Sequence, residues 1–259
     1  MNILVCVKRV PATGGRVTLT PDAQEIDTKY LGFTISPHEE CAVEEAVRLI
    51  EAHGGSATVL TLGPAAAEEQ LRDAMAMGIE RAVLLETDGR EWDPAATAGA
   101  IVEAVRAGGV TFDLLLFGNE AADTGNYQVG IRVAHALDLP CVTGIKALEV
   151  KDGGGDARSP AAVARREAGG GAWEVFEVAL PAVFTVKEGI NLPRYPSLPG
   201  RLKAKKKPIE RLQPAWNGNA LEKVRLKLPT EQEQQVEILG KGAEAAPKAV
   251  EIFQRLGLV

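Results

Sequence analysis

The 259-residue sequence predicts a doubly wound α/β fold: a mostly parallel sheet with helices on both faces, added antiparallel strands and a C-terminal arm. Three observations predict it. Short continuous apolar runs alternate with longer amphipathic stretches through the first half, the pattern of strands buried on both faces and joined by helical crossovers. After Pro140 the rhythm changes, and four strand-like runs follow one another without helical stretches between them. Past Pro208 the chain turns polar and carries little apolar surface to bury.

Each element has its own warrant. Ile3 to Val7 is an apolar run ending in Lys8 and Arg9, a first strand closed by charge. Gly14 to Thr28 alternates weakly around a Pro21-Asp22 turn and predicts a hairpin excursion. Ser36-Pro37 opens the first helix, in which Cys41, Ala42, Val43, Ala46, Leu49 and Ile50 form one stripe that Gly54 ends. Ala57 to Leu62 is the second strand. Gly63-Pro64 starts a second helix that runs through Leu71, Ala74 and Met75 to Gly78. Ala82 to Leu85 gives a third strand, Pro94 to Ala107 a third helix and Leu114 to Phe117 a fourth strand.

The segment after that fourth strand is the first functional candidate. Its small-residue loop begins at Gly118 and leads to a helix predicted to start near Asn126 to Gln128, with Asp123, Thr124 and Asn126 as cap candidates. A loop from a parallel strand's carboxyl end to a helix amino terminus presents free N–H groups and the positive end of the helix dipole, a ready site for phosphate. Ligands of such sheets bind at strand carboxyl ends. The loop matches neither the Walker pattern nor G-x-G-x-x-G.

In the second half, Val142 to Val150, Ala161 to Arg166, Trp173 to Val178 and Val183 to Val186 are expected to extend the sheet as antiparallel hairpins. Their turns are Gly153 to Gly155 and Gly169 to Gly171. Gly189 to Lys207 is punctuated by Pro193, Pro196 and Pro199, which excludes a regular helix or a central strand there. The run Lys205 to Lys207 reads as a solvated face. Beyond Ile209 the chain is polar and extended in character, with a helix at Ala245 to Leu256, and is expected to lie across another subunit. The domain division is thus 1–208 for the α/β domain and 209–259 for the arm.

Composition narrows the function classes. With 29 Lys plus Arg against 35 Asp plus Glu the net charge is -6, which argues against a general nucleic-acid binder. Cys6, Cys41 and Cys141 are odd in number and lack metal-ligand spacing, so a reducing, cytoplasmic setting is expected rather than a disulfide framework. No stretch approaches about 18 uninterrupted apolar residues, so membrane insertion is not expected. His38, His53 and His135 have no nucleophile partner nearby in sequence, and no catalytic set is expected.

Four stretches carry a resemblance to a known family: LVCVKRV at the amino terminus, ECAVEEAVRL on the first helix, LGPAAAEEQLRDAMAMG on the second, and LPAVFTVKEGINLPRYPSLPGRLKAKKKPIE near the end. With the G-x-x-A-x-D-x-x-x-x-Q-V-G loop from Gly118 to Gly130, the chain resembles the beta (small) subunit of electron transfer flavoproteins. The resemblance implies an adenine-nucleotide alpha-hydrolase-like fold and pairing with an alpha subunit that holds most of a redox-active FAD. It implies electron transfer from acyl-CoA or other flavin dehydrogenases, as in fatty acid beta-oxidation, to a membrane quinone oxidoreductase, with the chemistry belonging to the flavin. It also implies a buried AMP in the beta subunit. In an electron-bifurcating subset of the family a second FAD stands there instead.

Carried over by position, the nucleotide contacts fall on Cys6, Ser36, Leu62, Gly118, Ala121, Asp123, Thr124, Gly125, Asn126, Gln128 and Val129. Two positions depart from the common pattern: Gly125 stands where many members have an acid, and Ser36 where Asn is frequent. The proline-punctuated stretch corresponds to the family's partner-recognition loop, here Arg194, Tyr195, Pro196, Ser197, Leu198, Pro199, Gly200, Arg201, Leu202 and Lys203. Leu198 takes the position of the protruding apolar anchor. Glu167 matches a carboxylate that contacts the flavin-bearing domain once a one-residue gap is placed in a glycine-rich turn. Two rival classes are weighed against this. A stand-alone universal-stress-like module would not need the recognition loop or the arm, and an adenylate-forming enzyme would need a pyrophosphate loop where this chain has KRVPATGG.

Overall fold

Asn2–Cys6 forms β1, and from Ile3 on every one of its residues is buried, because the strand has neighbours on both edges and both faces. The computed structural model describes residues 1–12, 14, 17–151, 160–229 and 237–259. After β1 come a small antiparallel ribbon, β2 (Arg9–Pro11) with β3 (Phe33–Ile35), and then α1 (Pro37–His53). Next are β4 (Ser56–Gly63), a 3-10 turn at Ala65–Ala67, α2 (Glu68–Met77) and β5 (Arg81–Glu86). They are followed by α3 (Pro94–Ala107), β6 (Leu114–Gly118) and α4 (Val129–Ala136).

The second half supplies β7 (Cys141–Lys151), β8 (Ala161–Glu167), β9 (Trp173–Ala179) and β10 (Ala182–Val186). The short helix α5 (Leu198–Ala204), β11 (Glu210–Leu212) and α6 (Ala246–Arg255) complete the described elements. Strand order in the main sheet is β11-β5-β4-β1-β6-β10-β7-β8-β9, parallel from β11 to β7 and antiparallel beyond it.

The doubly wound expectation holds. Period-two alternation sends Ile3, Val5, Leu114, Leu116 and Phe184 to the face covered by α1 and α2, and Leu4, Cys6, Leu115, Phe117 and Val183 to the face covered by α3 and α4. The chain moves outward from β1 to β4 and β5, then crosses back through α3 to β6 on the other side of β1. That reversal opens a crevice at the strand carboxyl ends.

Several expectations need correction. Val183–Val186 is not an antiparallel hairpin strand: β10 lies parallel between β6 and β7, and all five of its residues are buried. A strand apolar on both faces is most stable in the interior of a parallel sheet, and its neighbours lie too far off in sequence for local pattern to reveal them. β7 is accordingly parallel to β10, and only the β7-β8-β9 meander is antiparallel. The Gly14 to Thr28 excursion holds one antiparallel bridge, Leu19 to Ile26, among its described residues. The turn expected at 153–155 lies outside the described residues.

The proline-punctuated stretch does contain a helix. In α5, Pro199 occupies the first turn, where its missing N–H has no intrahelical acceptor to lose, and the Ser197 hydroxyl accepts the Gly200 N–H at 3.2 Å. Lys207 is not simply solvated, since its Nζ donates to the Ile79 carbonyl at 3.0 Å. The arm begins by pairing with its own domain, as Glu210–Leu212 adds a parallel edge strand to β5. Among the described residues no helix is long and apolar enough to cross a membrane.

Candidate functional site

At the carboxyl end of β1, Cys6 is level with Leu60 of β4 and Phe117 of β6, and β4 runs on to Gly63. Above them opens a cleft of about 1230 Å³, its mouth included. On the β5 and α3 side its lining mixes the apolar Leu62, Trp92, Pro94 and Ile101 with the polar Thr87, Arg90, Glu91 and Thr97; on the β6 side it is lined by Lys8, Glu39 and residues of the loop from Gly118 to Asn126.

Local bonding fixes that loop. The Asn119 N–H donates to the Val186 carbonyl at 2.8 Å, and the Thr185 hydroxyl donates to Asn119 Oδ1 at 2.8 Å. Ser36 Oγ donates to the Glu120 carbonyl at 3.2 Å, tying the loop to the start of α1. A single turn follows, in which the Gly125 N–H reaches the Ala121 carbonyl at 2.9 Å and Gly125 itself takes a φ of 55°, a region that favours glycine. The helix then starts at Val129, one residue past the expected span of Asn126 to Gln128. Gln128 is its N-cap residue without a side-chain cap, so Asp123, Thr124 and Asn126 do not cap it. Gly130 lets α4 close on the sheet: a Cβ there would lie 2.9 Å from Thr185 Cγ2 and 3.2 Å from the Phe117 ring.

The electrostatics are arranged around Lys8. Its Nζ pairs with Asp123 at 2.7 Å and lies 3.4 Å from the Thr124 hydroxyl, so a cation stands at the loop end of the cleft. Its backbone N–H donates to Glu39 Oε2 at 2.7 Å. Burial pushes the Glu39 carboxyl up to about 8 against the pull of the Lys8 N–H and ammonium, so near neutral pH it is largely uncharged. The carboxylate that an anionic group meets at Lys8 is therefore that of its ion-pair partner Asp123 rather than Glu39. Burial likewise raises the Cys6 thiol, which makes it an inert wall residue rather than a nucleophile.

The electron transfer flavoprotein domain is matched over residues 25–216. Over 215 residues the chain is 40% identical to the electron transfer flavoprotein subunit beta of Bacillus subtilis, covering 82% of this chain and 79% of that protein. The subunit of the same name from Methylophilus methylotrophus is 30% identical over 264 residues, 98% of each chain, and the FixA protein of Sinorhizobium fredii 35% identical over 224 residues, 84% and 74%. The chain belongs to the electron transfer flavoprotein family, as a beta subunit.

Within this beta subunit, Cys6, Leu62, Gly118, Ala121, Thr124, Asn126 and Val129 all line the cleft. The other four residues named from sequence act behind the wall: Ser36 through the Glu120 carbonyl, Asp123 through Lys8, Gly125 through its turn and Gln128 by accepting from Arg132 at 2.9 Å. Sequence reasoning missed Lys8, Glu39, Trp92 and Tyr127 as lining residues. The Ser36-x-x-Glu39 spacing of a capping box gave no signal for Glu39, since that box is not formed: Ser36 makes no side-chain cap and the Glu39 carboxyl accepts the Lys8 N–H. Trp92 carried none.

Residues Arg194 to Lys203 and their surroundings form a second surface. Tyr195 and Leu198 are 89% and 71% exposed, with Leu192 and Leu202 exposed beside them. Arg201 lies over the Tyr195 ring at 5.6 Å. Arg194 does not share that surface, because its guanidinium is committed to Glu44 and Glu51 of α1. Glu167 pairs with Lys187 at 3.5 Å and Lys146 at 3.9 Å, and lines a polar pocket with Arg166, Thr143 and Tyr127.

Proposed function

We propose that this beta subunit pairs with an alpha subunit to form a heterodimeric carrier in the cytoplasm. It would pass electrons from acyl-CoA and other flavin dehydrogenases to a membrane quinone oxidoreductase, with AMP held in the strand-end cleft. The FAD shared with the alpha subunit supplies the redox chemistry. The residues of this chain bind and orient: Lys8 and the Gly118 to Val129 loop take the phosphate, the β5 and α3 side takes the base, and the Leu198 surface meets the dehydrogenase.

The observation that carries the reading is the cleft at the strand carboxyl ends, with the Lys8 cation and the Gly118 to Val129 loop on one side and Leu62, Trp92, Pro94 and Ile101 among the walls of the other, which suits an adenine mononucleotide. The arm and the exposed apolar side of α6, with Val250 and Phe253 half exposed, are assigned to the alpha subunit. One observation favours a second FAD in place of AMP: Asn119 and Tyr127 line both the cleft and the adjoining polar pocket, a path open to a longer ligand. Denaturing the purified heterodimer and counting released nucleotides tests both. One FAD and one AMP supports the main reading, two FAD the second, and a single FAD with no other adenine nucleotide overturns both.

A further inference from the structure

The strand-end cleft and the polar pocket beside it have two lining residues in common, Asn119 and Tyr127. Asn119 is bolted in place. Its N–H donates to the Val186 carbonyl at 2.8 Å, and its Oδ1 accepts the Thr185 hydroxyl at 2.8 Å. Tyr127 is held differently: its side chain makes no hydrogen bond or ring contact among the described residues, and the residue is 53% exposed. Of the two residues at the junction, one is fixed and the other can swing.

The backbone beneath that ring is strained. Tyr127 takes a φ of 56°, in the left-handed region where a bulky side chain is disfavoured. Such a conformation persists only where its surroundings enforce it, and residues of this kind gather at ligand sites. Here the enforcement comes from both sides in sequence. The turn closed by the Gly125 N–H on the Ala121 carbonyl precedes Tyr127, and α4 begins two residues after it. The backbone thus sets where the ring stands, at the junction of the two spaces, while nothing fastens its tip. Beyond the junction the pocket is polar, lined by Thr143, Arg166, Glu167 and Lys187.

We propose that Tyr127 is the divider that sets ligand length at this site. With its ring at the junction the cleft holds a mononucleotide, and a dinucleotide, whose second phosphate and the groups after it would run on into the polar pocket, must first displace the ring. This rests on the nucleotide reading above and names the residue that decides between its two forms. Obstruction discriminates without touching the favoured ligand, since it acts only on the one that has to move the ring. The hydroxyl has no part in it, because no partner holds it.

The test uses the alpha-beta heterodimer stripped of its cleft nucleotide alone and titrated calorimetrically with AMP and with FAD, flavin being counted per heterodimer after gel filtration. The wild type is expected to prefer AMP. Tyr127→Ala should tighten FAD by about tenfold while moving AMP much less, which narrows the AMP-to-FAD affinity ratio. Tyr127→Gly also removes the ring and is at ease at this φ, so it should do the same without a misfolded loop. Tyr127→Phe should match the wild type, because the ring obstructs and the hydroxyl does not. Wild-type heterodimer that takes up neither AMP nor FAD overturns the nucleotide reading and this inference with it. Wild-type binding of AMP with the ratio unchanged in Tyr127→Ala and Tyr127→Gly, or with both ligands weakened together, overturns this inference alone, and so does a wild type that takes FAD as tightly as AMP.

Discussion

Arg194 grips Glu44 with Nε at 2.9 Å and a terminal nitrogen at 3.1 Å, while its own backbone N–H donates to the same carboxylate at 3.0 Å. The Glu44 side chain is only 6% exposed, so the start of the Arg194 to Lys203 stretch is pinned to a buried charge in the middle of α1. A second pair to Glu51, at 2.6 Å, completes a clamp on one face of the helix. The loop is thereby presented as a rigid feature, and α5 behind it rests on α2, where Arg72 donates to the Ala204 carbonyl at 2.6 Å.

Arg194→Ala is expected to destabilise the protein by roughly 2–3 kcal/mol, because it leaves the Glu44 charge buried without its partner. Arg194→Lys should recover only part of this, since an ammonium cannot reproduce the two-pronged contact. Thermal unfolding of the three proteins measures both effects. Arg194→Ala melting with the wild type would show that the clamp contributes nothing to stability.

Replacing Gly130 tests the close seat of α4. Even Gly130→Ala forces a shift against Thr185 and Phe117, an overpacking cost of about 1–3 kcal/mol. Nucleotide content of the purified heterodimer should fall with stability, as a ligand bound only to the folded state stabilises it. Asn126→Glu should lower nucleotide content with a smaller loss of melting temperature in the nucleotide-free protein, because it adds charge at the mouth without crowding the core. Full nucleotide content in both variants would count against the loop as the phosphate site.

The contrast between these residues shows what local pattern carries. Gly130 and the Gly118 to Val129 loop were legible because a buried strand, a small-residue turn and a helical stripe are all contiguous in sequence. The same holds for α1 and α3, whose apolar stripes and flanking prolines sit within one helix length. What was not legible depends on partners distant in the chain. β10 finds its place between β6 and β7 only through pairing, Arg194 meets α1 only in the folded domain, and Trp92 packs edge-on against Trp216 of the arm, ring centroids 4.7 Å apart. α5 was hidden for a different reason: Pro199 reads as a breaker until its position in the first turn is known.

Glu39 gives the stability curve a defined slope. Its carboxyl is raised from 4.5 to about 8, so between those values the folded state binds a proton that the unfolded state has released. Stability therefore falls as pH rises through this window, by roughly 5 kcal/mol in all, and the loss is complete above about pH 8. Glu39→Gln cannot titrate and should flatten this part of the curve, gaining on the wild type from pH 5 to pH 9. Melting temperatures of both proteins across that range, taken at fixed nucleotide concentration, decide the matter. Parallel curves would mean that Glu39 is ionised throughout.

Leu198→Ala should leave flavin content and the absorbance spectrum of the heterodimer intact while slowing reduction by its dehydrogenase at limiting concentration. The argument starts from where the side chain stands. Leu198 is the first residue of α5 and 71% exposed, on a helix whose far end is buried at Ala204 and fastened by Arg72. Truncation therefore removes little from the free protein. Buried against a partner, the same leucine would contribute roughly 1.5–3 kcal/mol, a tenfold to hundredfold change in affinity. Because Arg194 and Ser197 already hold the loop, little further ordering is lost on docking, and most of that burial reaches the affinity. Arg201→Glu should act differently, slowing association in a manner that salt suppresses, since a charge at the rim mainly steers the encounter. Stopped-flow reduction of the two variants over a range of ionic strength separates anchor from steering. Wild-type kinetics in Leu198→Ala at every concentration would remove the leucine from the docking surface and leave Tyr195 and Leu192 as the exposed apolar residues to test next.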